Sequence, residues 1–254
     1  MLLAIDIGNT NITLGTFEDD VLSCTARLST DRKKTSDQYA VDIKNVLSLH
    51  GADCKAVEDC IISSVVPETG NAIASAVALL CDVVPLELGP GVKTGLNIRI
   101  DNPAQLGADL AAGAVGAIAE YKLPCIVIDM GTASTLSVID SDGKFLGGAI
   151  AAGVRLTLKA LCENTAQLPA ISLTAPESVI GSNTADCMRS GLIFGTAAML
   201  DGMIDRISEE LGVKPTVVAT GGLSKQIISY CKNDIIFNEN LLLEGLKEIY
   251  ERNK

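Results

Sequence analysis

Tryptophan is absent from this 254-residue chain, and aromatic residues make up only 3% of it. A core without large rings has to be assembled from Ala, Val, Ile and Leu, which suits parallel strands covered by closely packed helices. The lone histidine, His50, excludes a two-histidine zinc site and a histidine-based triad; its place in SLHGAD reads as a helix end. None of the eight cysteines forms a C-x-x-C pair. Zinc knuckles and thioredoxin-like motifs are thereby excluded, and most of the thiols should be small core hydrophobes. No apolar run approaches the length of about 18 residues that a membrane span needs, and MLLAIDIGNT reaches Asp6 without a basic stretch. A cytoplasmic protein with no membrane partner is expected. Positive charge is also scarce: 20 Lys and Arg stand against 31 Asp and Glu, for a formal charge of −11. That balance disfavours nucleic acid as a partner. The pattern G-x-x-x-x-G-K-[ST] is missing too, so any nucleotide chemistry must proceed without a P-loop lysine.

What the chain does contain is one plan written twice. LLAIDIGNTNITLGTFEDDVLSCTARL reads as three short strands with turns at Gly8 to Asn11 and Glu18 to Asp20, and CIVIDMGTASTLSVIDSDGKFLGGAI repeats the arrangement with a turn at Asp140 to Gly143. Aligned at the aspartates, Ile5-Asp6-Ile7-Gly8-Asn9-Thr10 falls on Ile128-Asp129-Met130-Gly131-Thr132-Ala133. Self-similarity at half the chain length implies two similar lobes. Helical patterns follow each strand group (SDQYAVDIKNVLSLH, AIASAVALL, Leu223 to Tyr230, NLLLEGLKEIYERNK), and DCIISSVVP and PTVVATGG read as buried strands. Strand groups alternating with helices give a mixed α/β class. Between the repeats, Asn102 as N-cap and Pro103 at the first helical position predict a helix to about Glu120. It is almost wholly Ala, Gly, Leu and Val, as expected for a lobe junction and a dimer seam.

Three glycine turns end apolar strands: Asp6-Ile7-Gly8-Asn9-Thr10, Asp129-Met130-Gly131-Thr132-Ala133-Ser134 and Ala219-Thr220-Gly221-Gly222. Glycine at such a point lets the backbone approach a phosphate or a flat base, and small hydroxyls and amides add hydrogen bonds. The aspartates can hold a cation directly or through water. Asp109 lies in an apolar stretch with Gln105, Leu106, Ala112 and Gly113 three and four residues away, and none of these is positive. Either burial raises its pKa and suits it to accept a proton from a hydroxyl, or the helix begins at Gly107 and free first-turn amides stabilise the carboxylate.

DIGNTNITLG, SSVVP, GPGVKTGLNIRIDNPAQLGAD, IDMGTAST, GGAIAAG, TAQLP, GSNT and ATGGLS occur in one order along the chain. In these landmarks the sequence resembles the type III pantothenate kinases of the actin-like ATPase and sugar kinase superfamily. The resemblance implies two ribonuclease H-like lobes, residues 1–119 and 120–254, each a mixed five-stranded sheet with flanking helices. It implies ATP-dependent phosphorylation of pantothenate to 4'-phosphopantothenate, with Mg2+ and K+ or NH4+ as cofactors, in a homodimer. Carried over by position, Asp6, Ile7, Gly8, Asn9, Thr10, Asn11, Ile12 and Thr13 would line the ATP phosphates, and Thr132, Gly221 and Gly222 would add nucleotide contacts. Asp129 would hold the monovalent cation, and Asp6 would meet Mg2+ through phosphate. Gly107, Ala108, Asp109 and Leu110 would border pantothenate with Asp109 as general base, and Thr184 would contact substrate bound in the partner subunit.

The chain departs from the family pattern at several positions. Leu110 stands where an arginine usually follows the catalytic aspartate, Gly113 replaces an asparagine, Ala152 a proline and Ile100 an aromatic residue. Two readings follow. Arg155 or Arg99 takes over the pantothenate carboxylate, or the chain is a nucleotide-binding regulator or a kinase of another small hydroxylated metabolite.

Overall fold

The computed structural model describes all 254 residues, which separate into two compact units. The first comprises Met1–Asn97, Asp101–Glu120 and Asn240–Lys254, and the second Ile98–Ile100 and Tyr121–Glu239. A division with everything after residue 119 in the second lobe therefore needs correcting, because the closing helix returns to the first unit. The reason is its apolar face, which supplies Leu243, Leu246 and Ile249 to a core shared with Leu2, Ala4, Phe17 and Ile61.

In the first unit, strands β1 (Leu2–Ile7), β2 (Asn11–Glu18), β3 (Val21–Ser29), β4 (Asp59–Ser64) and β5 (Leu86–Glu87) form a sheet of order β3-β2-β1-β4-β5. β1 pairs antiparallel with β2 and parallel with β4. Strand side chains alternate between faces, and both faces are used. Leu3, Ile5 and Ile7 lie in a core with α1 (Ser36–Leu49) and α2 (Pro67–Cys81), while Leu2 and Ala4 lie under α3 (Ala108–Glu120) and α7 (Leu241–Glu251). Tyr39, one of the few aromatics, is fully buried here, and its hydroxyl accepts from the Asp31 N–H at 2.9 Å. His50 is the exposed C-cap of α1, at the helix end where it was expected.

The small residues of α3 are explained by α7. A Cβ on Gly245 would lie 1.9 Å from the Ala112 carbonyl oxygen, and one on Gly116 would lie 2.5 Å from that of Leu241. The two backbones thus touch without intervening side chains. The helix expected from Asn102 to Glu120 is interrupted. Asn102 does cap a turn, accepting from the Ala104 N–H at 3.2 Å, but only Pro103–Gln105 follow as a short 3-10 helix. Leu106 is extended, at φ −66 and ψ 122, and α3 starts afresh beyond Gly107.

The second unit repeats the strand plan with β7 (Cys125–Met130), β8 (Ala133–Ile139) and β9 (Lys144–Ala152), joined by β10 (Thr216–Thr220) and β11 (Ile236–Phe237). Its sheet has six strands rather than five, in the order β11-β10-β7-β8-β9-β6. The addition is the edge strand β6 (Asn97–Ile98), secured where the Arg99 N–H donates to the Phe145 carbonyl at 2.8 Å. α4 (Val154–Glu163), α5 (Thr184–Leu211) and α6 (Ser224–Ile228) complete the unit. The sequence reading overlooked α5 and drew α6 too long. The duplication extends to detail: β2 is bulged at Thr16/Phe17 and β8 at Val138/Ile139, in each case three residues past the partner of the strand-end aspartate.

Most cysteines serve as core. Cys24, Cys54, Cys60 and Cys125 are buried, Cys187 is exposed and none is disulfide-bonded. Burial lifts the Cys125 thiol to about 12 and Cys81 to about 11, so both stay protonated at neutral pH.

Candidate active site

Register, which the sequence does not display, sets the neighbours of the two strand-end aspartates. Asp6 on β1 stands opposite Thr13 on β2 and beside Ser63 on β4. Asp129 on β7 stands opposite Thr135 on β8 and beside Thr220 on β10. Cross-strand partners project to the same face, so each carboxylate lies between two hydroxyl side chains. The first turn, Gly8 to Asn11, is closed by the Gly8 N–H donating to the Asn11 carbonyl at 2.9 Å; in the second, Gly131 N–H donates to the Ala133 carbonyl at 3.0 Å. That second turn is one residue shorter, so an ungapped alignment slips beyond it: the counterpart of Thr13 is Thr135.

The Gly8 turn is braced from the segment just after β3. Thr30 Oγ1 donates to the Gly8 carbonyl at 2.7 Å, and an Arg32 guanidinium nitrogen donates to Asn9 Oδ1 at 3.2 Å. Arg32 is exposed beside this turn, and the sequence reading missed it because only the folded chain brings residue 32 to residue 9.

In the second unit the glycines are required by close approach. Gly221 has φ +95, and a Cβ there would lie 2.6 Å from Asp129 Oδ1 and 2.7 Å from the Met130 carbonyl oxygen. A Cβ on Gly153 would lie 2.4 Å from the Thr132 carbonyl oxygen. Asp129, Thr132 and Gly221 are thus brought into one cradle, whereas Gly222 has open space around its Cα. Thr184 is the first residue of α5, after the cap Asn183.

Asp109 occupies the first turn of α3, which covers the sheet face carrying Asp6, Thr13 and Ser63. Both sequence readings of this residue contribute. Its Oδ1 accepts from the Leu110 N–H at 2.8 Å, as a first-turn carboxylate does, yet burial outweighs that bond and raises its pKa above the usual carboxylate value. Gly107 makes room, since a Cβ there would fall 2.5 Å from Asp109 Oδ1. Leu110 is half-buried and supplies this amide.

A groove of about 550 Å³ in the second unit is lined by Arg155, Lys159 and Cys162 of α4, by Ser172, and by Leu223 and Gln226 just beyond the Gly221-Gly222 turn. No three His, Cys, Asp or Glu side chains gather into a metal cage. The donors around both aspartates are oxygens alone, which fits a hard cation completing its shell with water and phosphate oxygens, as Mg2+ does.

A family model described as type III pantothenate kinase matches residues 2–206. The chain is 42% identical over 254 residues to a type III pantothenate kinase of Brevibacillus brevis, covering 100% of both. Among solved structures, (R)-2-hydroxyglutaryl-CoA dehydratase component A of Acidaminococcus fermentans superposes with a TM-score of 0.60 at 14% identity, covering 100% of this chain and 99% of that one. A ROK hexokinase of Thermus thermophilus superposes with a TM-score of 0.52 at 11% identity, with 100% and 99% covered. These two likenesses bear on the fold, which is that of the actin-like ATPases and sugar kinases.

Proposed function

From membership of the type III pantothenate kinase family, to which this chain belongs, we infer that it is a kinase that moves the γ-phosphoryl group of ATP to the primary hydroxyl of pantothenate, opening coenzyme A biosynthesis. The observation that carries the reading at the level of chemistry is Asp109. Its carboxylate is half-buried in the first turn of the helix that covers the Asp6 face, and burial raises its pKa above the usual carboxylate value, the direction that suits a general base. Asp109 orients the acceptor hydroxyl and takes its proton as the oxygen attacks the γ-phosphorus. The Gly8 turn, with Asp6 to Thr13, lines the phosphates, and Arg32 adds a positive charge where no P-loop lysine exists. Bound Mg2+ supplies charge neutralisation at the phosphates. Asp6 would be the residue to hold it, while Asp129 would hold K+ or NH4+ and Thr132 would contact phosphate.

The groove beyond Gly221-Gly222 takes the nucleoside. With the nucleoside there, Arg155, which with Arg99 was one of two candidates for the pantothenate carboxylate, serves the nucleotide instead in this reading, since it lines the groove together with Leu223 and Gln226. Gly107 to Leu110 border pantothenate, and Thr184 serves the partner subunit's acceptor in a cytoplasmic homodimer. The regulator alternative is not favoured by the family match.

A coupled ADP-release assay with pantothenate, Mg2+ and K+ tests the reading. Turnover should require all three and collapse in Asp109→Asn. Equal ADP release with and without pantothenate would remove the acceptor assignment.

A further inference from the structure

Three shielded hydroxyls, those of Ser63, Thr69 and Thr135, stand against the rule that buried polar groups find partners, and two of the three lie beside strand-end aspartates. Ser63 is 0% exposed, and its Oγ has no hydrogen-bond partner in the protein. Thr135 is half-buried, yet its Oγ1 is fully shielded and also unpartnered. Ser63 follows the buried run Cys60-Ile61-Ile62, and Thr135 lies between the buried Ser134 and Leu136. A buried hydroxyl left unmatched opposes folding, and alanine or valine would fill either place without that cost.

Their placement supplies a reason. Ser63 is the register neighbour of Asp6, and Thr135 is the register neighbour of Asp129. Each unit thus repeats the same set, an aspartate at a strand end with a shielded hydroxyl one strand away on the same face. The hydroxyls come from opposite sides, Ser63 from the parallel neighbour and Thr135 from the antiparallel one, so the pairing is not inherited from one duplicated residue. Thr13 and Thr220 flank the other side of the respective aspartates. A carboxylate between two neutral oxygens is a donor set for a hydrated hard cation, in which water links the ion to the hydroxyls.

We propose that Ser63 and Thr135 are cation-positioning residues, the Ser63 hydroxyl bonding the water shell of the divalent ion at Asp6 and the Thr135 hydroxyl that of the monovalent ion at Asp129. This deepens the kinase reading but depends on it only through the nucleotide. The test therefore contains no pantothenate. Thermal unfolding of the parent, Ser63→Ala and Thr135→Val is followed in tetramethylammonium buffer, then with ADP and rising Mg2+, and separately with ADP and rising K+.

In cation-free buffer both variants should melt at or above the parent, because an unmatched hydroxyl has gone. The Mg2+ concentration for half the thermal gain should rise about tenfold in Ser63→Ala, and the K+ concentration likewise in Thr135→Val. Ser63→Cys, which keeps the volume but donates weakly, stands in should the alanine variant not fold. A cation-free Tm lowered by several degrees, or half-saturating concentrations within about twofold of the parent, overturns the assignment. Intact cation responses without phosphoryl transfer to pantothenate would sink the acceptor reading and leave these two sites standing.

Discussion

Gly221 and Gly222 are indistinguishable as members of an A-T-G-G turn, yet the structure gives them opposite sensitivities. At Gly221 alanine would have to adopt φ +95, where an L residue is disfavoured by about 1–2 kcal/mol. Its Cβ would also stand 2.6 Å from Asp129 Oδ1, 2.7 Å from the Met130 carbonyl oxygen and 2.8 Å from the Met130 carbonyl carbon. Two of these atoms are backbone inside β7, so relief requires β10 to move away from its neighbour. Such overpacking typically costs about 1–3 kcal/mol, and with the backbone strain the total is about 3 kcal/mol. For a chain of this size that corresponds to a Tm lowered by about 6–12 °C. Moving the turn also displaces the Asp129 carboxylate, so stabilisation by ADP and K+ should weaken in parallel. Gly222→Ala meets nothing within 4 Å and should melt with the parent; any rise in its ATP KM then measures how closely the nucleotide passes over that Cα. Thermal melts with and without ADP, alongside ATP KM, read both arms. A Gly221→Ala protein with parental Tm and parental ATP KM would refute the reasoning, since the cradle would then tolerate the atom the geometry forbids.

Asp109→Asn should lower kcat by about 10²–10⁴-fold, the usual contribution of a general base, and raise the Tm at pH 8. The folded pKa of Asp109 is raised, so its ionisation favours the unfolded chain. The folded state is helped below the unfolded pKa and loses that help as pH rises through the folded value, so the gain from asparagine should vanish at acidic pH. Arg32→Ala should raise the ATP KM about threefold to fivefold at low salt and less at high salt, with the pantothenate KM unchanged, as befits an exposed cation. Gly245→Ala should lower the Tm by several degrees because its Cβ would meet the Ala112 carbonyl at 1.9 Å. By contrast Gly195→Ala, exposed in α5 with nothing within 4 Å, should stabilise by about 0.5–1 kcal/mol.

Patterns local in sequence were the readable ones. The two Asp-x-Gly turns, the Asn102 cap and the apolar strands could all be read from periodicity and turn chemistry. The helix boundary at Gly107 stood in the sequence only as one of two readings, because Asn102 and Pro103 give a true start signal and only the extended Leu106 shows that it leads to a single turn. The small residues of α3 correctly announced close packing but not the partner. That partner is α7, which comes from more than 120 residues further along the chain and carries its own glycine to the contact.

The site itself divides along the same line. Asp6, Asp109 and Asp129 can be nominated from sequence because a carboxylate in an apolar context is conspicuous wherever it falls. Ser63, Thr135 and Thr220 cannot, since a hydroxyl in a strand is commonplace and becomes significant only when register sets it beside a carboxylate. Register is a property of pairs of strands, and here β1 pairs with β4 across some fifty intervening residues. The one-residue difference between the two Asp-x-Gly turns adds to the concealment, because aligning the repeats without a gap sets Thr13 against Leu136, a core residue on the opposite face. The duplication thus preserves the oxygen set around each aspartate in space while shifting it along the sequence. Selection in this chain is therefore better sought in the strand pairs than in the aligned repeats, and Thr13 and Thr135 are the pair to exchange first: Thr13→Val and Thr135→Val should each disturb the cation response of their own aspartate and spare the other.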